Sequence, residues 1–256
     1  MKKEETKFCS STIFEGMTSI RALIYAIDEN ISDRRIEKII LDKGKIQKNK
    51  KEIGYLRAIS DKYGFTIESV DEETIDNLAL GNSHGGILCV ASERTIDKLS
   101  IDKIQDNGFY CLMDGIEDPY NFGYSLRSLY ACGCTGILLP ERNWMSAAGV
   151  VCRSSAGASE RFEMFTEDPL SIVKMFKEKG YTIVCADEHT DNILGKCSLP
   201  LPILLLVGGE KRGISKKILE YADTLVKIDY AREFRASLSA ASATTMFAYE
   251  IARQNF

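Results

Sequence analysis

Leu206-Val207-Gly208-Gly209-Glu210-Lys211-Arg212-Gly213-Ile214-Ser215 is the stretch whose reading decides the fold of this 256-residue chain. It continues the most apolar run in the sequence, Ile203–Val207 (ILLLV), through closely spaced glycines into the start of a short helix. An apolar run without alternation reads as a strand covered on both faces. A strand that enters a glycine-rich loop and then a helix is a general ligand-binding device. Small residues let the backbone approach the ligand, and exposed N–H groups supply donors. The spacing of Gly208 and Gly213 approaches a P-loop, but Ile214 stands where the phosphate-binding lysine is required, and no GxGxxG is present. A generic nucleotide-binding enzyme is therefore disfavoured.

Outward from this loop the same alternation recurs. Phe109–Met113 (FYCLM), Gly136–Leu139, Tyr181–Cys185 and Leu225–Ile228 read as strands, with helices over Gly123–Cys132, Pro169–Lys179 and Ser237–Gln254. Strand–helix alternation of this kind predicts an α/β domain with a parallel sheet, whose ligands bind at the carboxyl ends of the strands. Toward the N-terminus, Ile20, Leu23, Ile24 and Ile27 share one helix face. Ile36–Leu41 reads as a strand, Leu56–Tyr63 as helix and Phe65–Val70 as strand. Asp71 caps a helix running to Leu80, and Ile87–Ala91 closes the segment as a buried strand. The expected organisation is a small α/β domain over 1–95, a polar linker over 96–105, and the larger domain over 106–256.

Composition narrows the function. Hydrophobic residues make up 45% of the chain, as in folded globular proteins. No apolar run approaches the roughly 20 residues of a membrane helix. The N-terminal lysines are not followed by the apolar region of a signal peptide, so a cytoplasmic protein is expected. The eight cysteines contain no CxxC pair, and Cys89, Cys111 and Cys185 lie in apolar runs, where a thiol behaves as a small hydrophobe. With only His84 and His189 available, no zinc site is expected. The net charge of −4 runs against nucleic-acid binding, but Arg34–Arg57 is locally basic, with Arg34, Arg35, Lys38, Lys43, Lys45, Lys48, Lys50, Lys51 and Arg57 against Glu37, Asp42 and Glu52.

Two further motifs sit at strand ends. Asp114-Gly115-Ile116-Glu117-Asp118-Pro119-Tyr120-Asn121-Phe122-Gly123-Tyr124-Ser125-Leu126-Arg127 leaves a strand and enters a helix. Asn121 falls near the helix start, where it can cap or reach into a crevice, and Arg127 about one turn in, suited to bidentate phosphate binding. Ile228–Ala243 passes from a strand through a charged loop to a helix whose first turns, Ser237-Leu238-Ser239-Ala240-Ala241-Ser242-Ala243, are mostly small residues, with Ser237 as a possible cap.

Taken together and in this order, the three motifs resemble the SpoU (TrmH-like) branch of the SPOUT RNA methyltransferases, over about residues 109–256. The first is similar to that family's Asn, Gly and Arg pattern, the second to its Gly-x-Glu-x-x-Gly loop, and the third to its Ser-Leu-Asn helix start. The first segment resembles an L30e-like substrate-binding domain through Gly16 and its helix, Ile36–Leu41 and His84-Gly85-Gly86-Ile87. The resemblance implies a C-terminal deep trefoil knot, an exception to the rule against threaded chains. It also implies S-adenosyl-L-methionine held by Gly208, Gly213, Ile228 and Leu238. Transfer to a ribose 2′-hydroxyl is implied, with rRNA favoured over tRNA, in a homodimer that needs no metal and no membrane. Arg127, Asn121, Glu210, Ser237 and Ser239 are the implied catalytic set, Arg127 facing the cofactor of the other subunit. The chain departs from the family at Ser239, where the pattern has Asn, and in a longer, charged loop with Asp229, Arg232 and Glu233. That departure keeps open a catalytically weak or inactive RNA-binding protein of the same fold.

Overall fold

The computed structural model describes residues 12–81, 84–140, 147–209, 213–234 and 236–256. The chain forms two compact units, one within Met1–Thr95 and Asn143–Arg161, the other within Ile96–Arg142 and Phe162–Phe256.

The first unit carries a four-stranded sheet in the order β1-β4-β2-β3, from β1 (Ile13–Glu15), β2 (Ile36–Asp42), β3 (Thr66–Val70) and β4 (Ile87–Ala91). Only β2 and β3 run parallel; β4 is antiparallel to both β1 and β2. Helix α1 (Gly16–Asp28) buries Ile20, Leu23 and Ile24. Helix α2 (Lys50–Tyr63) buries Ile53 and Leu56 and stops at Gly64, whose φ of 71° suits a residue without Cβ. Asp71 caps α3 (Glu72–Leu78), accepting the Thr74 N–H at 2.8 Å.

The expected boundaries need two corrections. The segment with α5 (Ala148–Ser154) and α6 (Ala158–Arg161) belongs to the first unit, although the alternation assigned all of 106–256 to one domain. It is fixed by contacts that periodicity does not encode. A Cβ on Gly149 would lie 1.9 Å from the Ile13 carbonyl oxygen, so only glycine permits the approach. Buried Glu15 pairs with Arg153, and buried Arg34 pairs with buried Glu160 at 3.0 Å while donating to the Ser92 carbonyl at 2.7 Å. Arg34 is thus an internal cation rather than part of a basic surface. The second correction concerns the linker: Asp97–Lys98 forms an edge strand (β5) paired with the strand Glu163–Thr166, and Leu99 and Ile104 are buried in the core of the second unit.

The second unit is a seven-stranded parallel sheet in the order β11-β9-β10-β6-β7-β8-β5. Its remaining strands are β6 (Phe109–Asp114), β7 (Gly136–Leu139), β8 (Glu163–Thr166), β9 (Thr182–Ala186), β10 (Ile203–Gly208) and β11 (Thr224–Val226). Its helices are α4 (Pro119–Ala131), α7 (Pro169–Glu178), α8 (Lys216–Leu219) and α9 (Ala240–Asn255). The apolar run Ile203–Val207 is buried throughout, as a strand between two parallel neighbours must be. Cys111, Cys134 and Cys185 are buried in this unit, and Cys89 and Cys152 in the first. Desolvation pushes Cys152 and Cys185 up to about 12, so these thiols are packing groups at neutral pH. No helix among the described residues is long and apolar enough to cross a membrane.

Candidate active site

Sheet order reverses at the β6–β10 pair: β7 and β8 lie to one side, β9 and β11 to the other. Such a switch point opens a crevice at the carboxyl ends of the strands. At that end a cavity of about 930 Å³ is lined by the loops after β9 (Ala186–His189), β10 and β11, and by the start of α9. Gly208, Gly213, Ile228, Ser237 and Leu238, five residues singled out by their motifs, line it together.

Backbone packing shapes the wall. A Cβ on Gly208 would lie 2.5 Å from the Gly213 carbonyl carbon, and one on Gly209 would lie 2.0 Å from the Gly115 carbonyl oxygen. The turn after β6 and the loop after β10 therefore meet backbone to backbone. Gly213 returns onto Gly209 through its N–H at 2.9 Å and holds φ of 59°. These glycines are positions where a side chain has no room or the backbone is left-handed. β11 ends at Val226 rather than running on to Ile228. Lys227 instead bridges Ile193, and its carbonyl accepts the Leu194 N–H at 2.8 Å, leaving Ile228 on the cavity wall.

Both predicted caps shift. Asp118, not Asn121, caps α4, accepting the Asn121 N–H at 2.8 Å with Pro119 as the first helical residue. Asn121 sits in the first turn, its carbonyl accepting the Ser125 hydroxyl at 2.8 Å. At α9 the cap is Ser239, not Ser237; its Oγ accepts the Ser242 N–H at 3.2 Å. Serine and asparagine cap helices about equally well, so the departure from Ser-Leu-Asn leaves this helix start intact. Arg127 is exposed on α4, is not among the cavity-lining residues, and makes no hydrogen bond or ion pair among the described residues. Glu210 lies outside the described residues. Helices α4 and α9 pack together and share a Ser128–Thr245 hydroxyl bond of 2.6 Å.

Sequence reasoning passed over the β9 loop, where Asp187, Glu188 and His189 line the cavity, and the aromatic pair Tyr230 and Phe234, which meet edge-on at 6.1 Å on its wall. The Tyr230 hydroxyl accepts the Leu238 N–H at 3.2 Å and so ties the charged loop to the start of α9. The apolar-to-acidic change at Cys185-Ala186-Asp187-Glu188-His189, directly at a strand end, was the available signal. Among the described residues there is no cluster of His, Cys, Asp or Glu able to hold a metal ion.

Known proteins resemble this chain in sequence and in fold. A TrmH family tRNA/rRNA methyltransferase from Bacillus subtilis is 26% identical over 228 residues, 87% of this chain and 90% of the relative. A 23S rRNA (guanosine-2′-O-)-methyltransferase from Shewanella oneidensis is 29% identical over 197 residues, 75% of this chain and 80% of the relative. The crystal structure of the SpoU methyltransferase AviRb from Streptomyces viridochromogenes, in complex with AdoMet, superposes with a TM-score of 0.74 at 21% identity, covering 94% of this chain and 89% of that one. The model of the SpoU rRNA methylase family matches residues 108–249, a span that contains every strand contributing a loop to the cavity. A parallel sheet reversing at β6 and β10, a glycine-walled cavity at the reversal, and that match place the chain in the SpoU rRNA methylase family of RNA methyltransferases.

Proposed function

We propose that the protein transfers a methyl group from S-adenosylmethionine to a ribose 2′-hydroxyl of RNA, with ribosomal RNA favoured over transfer RNA. The observation that carries this reading is the glycine-walled cavity at the strand ends, lined by Gly208, Gly213, Ile228 and Leu238. The Shewanella relative's guanosine-2′-O activity on 23S rRNA and the family's description favour the ribosomal ribose. Cavity size and chemistry suit an adenosyl ligand: the volume is that of a ligand pocket, and the wall mixes apolar groups with exposed backbone. When bound, the sulfonium supplies an already activated methyl, so the protein's task is to position the hydroxyl and assist loss of its proton.

The backbone of Gly208 and its neighbours, with Ile228 and Leu238, holds the methyl donor. Arg127 orients an RNA phosphate and the reacting hydroxyl and stabilises developing charge. It does not act as a base, because a guanidinium keeps its proton in proteins. Asn121 and Glu210 fix Arg127 or the substrate, and Ser237 and Ser239 shape the cofactor end of α9. The small unit, through Lys48, Lys50, Lys51 and their exposed neighbours, holds RNA phosphates in the cytoplasm. Two copies associate through α4 and α9, whose Tyr120, Tyr124, Met246 and Tyr249 are exposed apolar groups, so that Arg127 serves the partner's cavity. A trefoil knot in the C-terminal region belongs to the same reading. An experimental structure whose backbone closes unknotted overturns that part, and a monomer in sedimentation at micromolar protein overturns the dimer.

The test incubates the protein with labelled S-adenosylmethionine and total RNA and maps the modified nucleotide. Label on a ribosomal 2′-oxygen supports the proposal. RNA binding with cofactor binding but no transfer supports an inactive RNA-binding protein instead.

A further inference from the structure

We infer that Asp187 receives the ribose diol of the adenosyl group, an assignment that rests on the reading of the cavity as an S-adenosylmethionine site. Asp187 is the first residue after β9, and β9 lies between β10 and β11 in the sheet. It therefore stands between the two loops that carry Gly208 and Ile228, and it lines the same cavity. Its N–H donates to the Val226 carbonyl at 3.1 Å, which anchors its backbone to β11.

The carboxylate is held asymmetrically. Oδ1 accepts the His189 N–H at 2.7 Å and lies 3.1 Å from His189 Nδ1, while Oδ2 takes no partner among the described residues. One oxygen fixes the group, and the other remains an acceptor. The Asp187 side chain is 17% exposed against 83% for His189, so the carboxylate is the sheltered member and the imidazole its outer brace. Glu188 and Asp229 also line the cavity, but both are exposed and neither carboxylate is braced in this way among the described residues.

A vicinal diol presents two hydroxyl donors and needs a fixed acceptor that carries no proton of its own. A carboxylate at the end of a parallel strand supplies this in other nucleoside sites of doubly wound sheets. Gly208, Gly209 and Gly213 on the loop after β10 carry no side-chain acceptor for the hydroxyl protons, and a carboxylate supplies a strong one. Asp187 is thus a binding residue for the donor, and His189 a positioning residue that acts through it.

The experiment titrates the wild-type protein, Asp187→Ala, Asp187→Asn and His189→Ala by calorimetry with S-adenosylmethionine, S-adenosylhomocysteine and 2′-deoxy-S-adenosylhomocysteine. The wild type is expected to prefer S-adenosylhomocysteine over its deoxy analogue by about 10- to 100-fold, as for a hydrogen bond to a charged acceptor. Asp187→Ala should bind both equally and weakly, with Asp187→Asn between, and His189→Ala should keep part of the preference. The ratio is internal to each variant, so it does not depend on equal stability among them. If Asp187→Ala retains the wild-type preference, the assignment is overturned while the cofactor reading stands. If its loss falls on the sulfonium ligand and spares S-adenosylhomocysteine, the carboxylate faces the sulfur instead, and the assignment is again wrong. Failure of the wild type to bind any of the three removes the cofactor reading itself, and this assignment with it.

Discussion

Replacement of Gly209 by alanine should damage stability and cofactor binding together. The new methyl would sit 2.0 Å from the Gly115 carbonyl oxygen and 2.5 Å from its carbon, far inside van der Waals contact. Both partners are backbone, so no rotamer relieves the clash, and the turn after β6 must retreat by more than an ångström. Overpacking of this kind costs about 2 kcal/mol, and in a chain of this size that lowers Tm by roughly 4–8 °C. Because the same loop forms the cavity wall, affinity for S-adenosylhomocysteine should fall by about tenfold or more. Gly180→Ala is the matched control. Its φ is 78° with nothing within 4 Å of the added Cβ, so it should cost about 1 kcal/mol of backbone strain and leave affinity unchanged. Differential scanning calorimetry and titration calorimetry on both variants read the two effects. A Gly209→Ala protein with wild-type Tm and wild-type affinity would refute the close-approach argument.

Other perturbations separate the remaining elements. Ser239→Ala should cost about 1 kcal/mol in chemical denaturation through loss of the α9 cap, while Ser239→Asn should be near neutral; equal loss in both would show that capping is not its role. Arg34→Ala should destabilise by about 3–5 kcal/mol because Glu160 is left buried and unpaired, and a smaller effect, seen as an unchanged urea midpoint, would argue against the internal pair. Glu250 is held near a pKa of about 2 by hydrogen bonds from Arg253 and Gln254, below its ordinary 4.5. Its stabilising contribution should be complete above about pH 4.5 and fade as pH falls toward 2, an acid limb absent in Glu250→Gln when urea midpoints are compared across pH. A Lys48/Lys50/Lys51→Ala variant should bind RNA more weakly with a shallower salt dependence, whereas Arg127→Ala should lose methyl transfer and keep most RNA affinity. Unchanged RNA binding in the first variant, or wild-type transfer in the second, sinks the corresponding role.

The central strands β6, β7, β9 and β10 were legible because each is a largely apolar run, and burial on both faces leaves that mark and little else. Gly208 and Gly213, which line the cavity, were legible through spacing. What stayed hidden is non-local or too short. β1 has three residues and β8 four, fewer than an alternation needs. Asn121 within the motif could cap α4 or reach into a crevice, but Asp118-Pro119 just before it carries the stronger capping signal. Arg34 read as surface because its partner is far away in the chain, and a lone charge in a basic run gives no sign of an internal counter-ion. Asp187 belongs to no shared motif, and only the sheet order brings it between the Gly208 and Ile228 loops.

The contacts of the 147–161 segment also set an order of events during synthesis. Glu15 and Arg34 are made early, but Arg153 and Glu160 follow them by 138 and 126 residues. A ribosome that releases the chain from its N-terminus therefore exposes an unfinished first unit, with two inward charges unneutralised, until Arg161 has emerged. By then β6, β7 and α4 of the second unit already exist. The first unit is therefore completed only after part of the second has been made, and a fragment ending at residue 95 lacks the counter-charges its own interior requires.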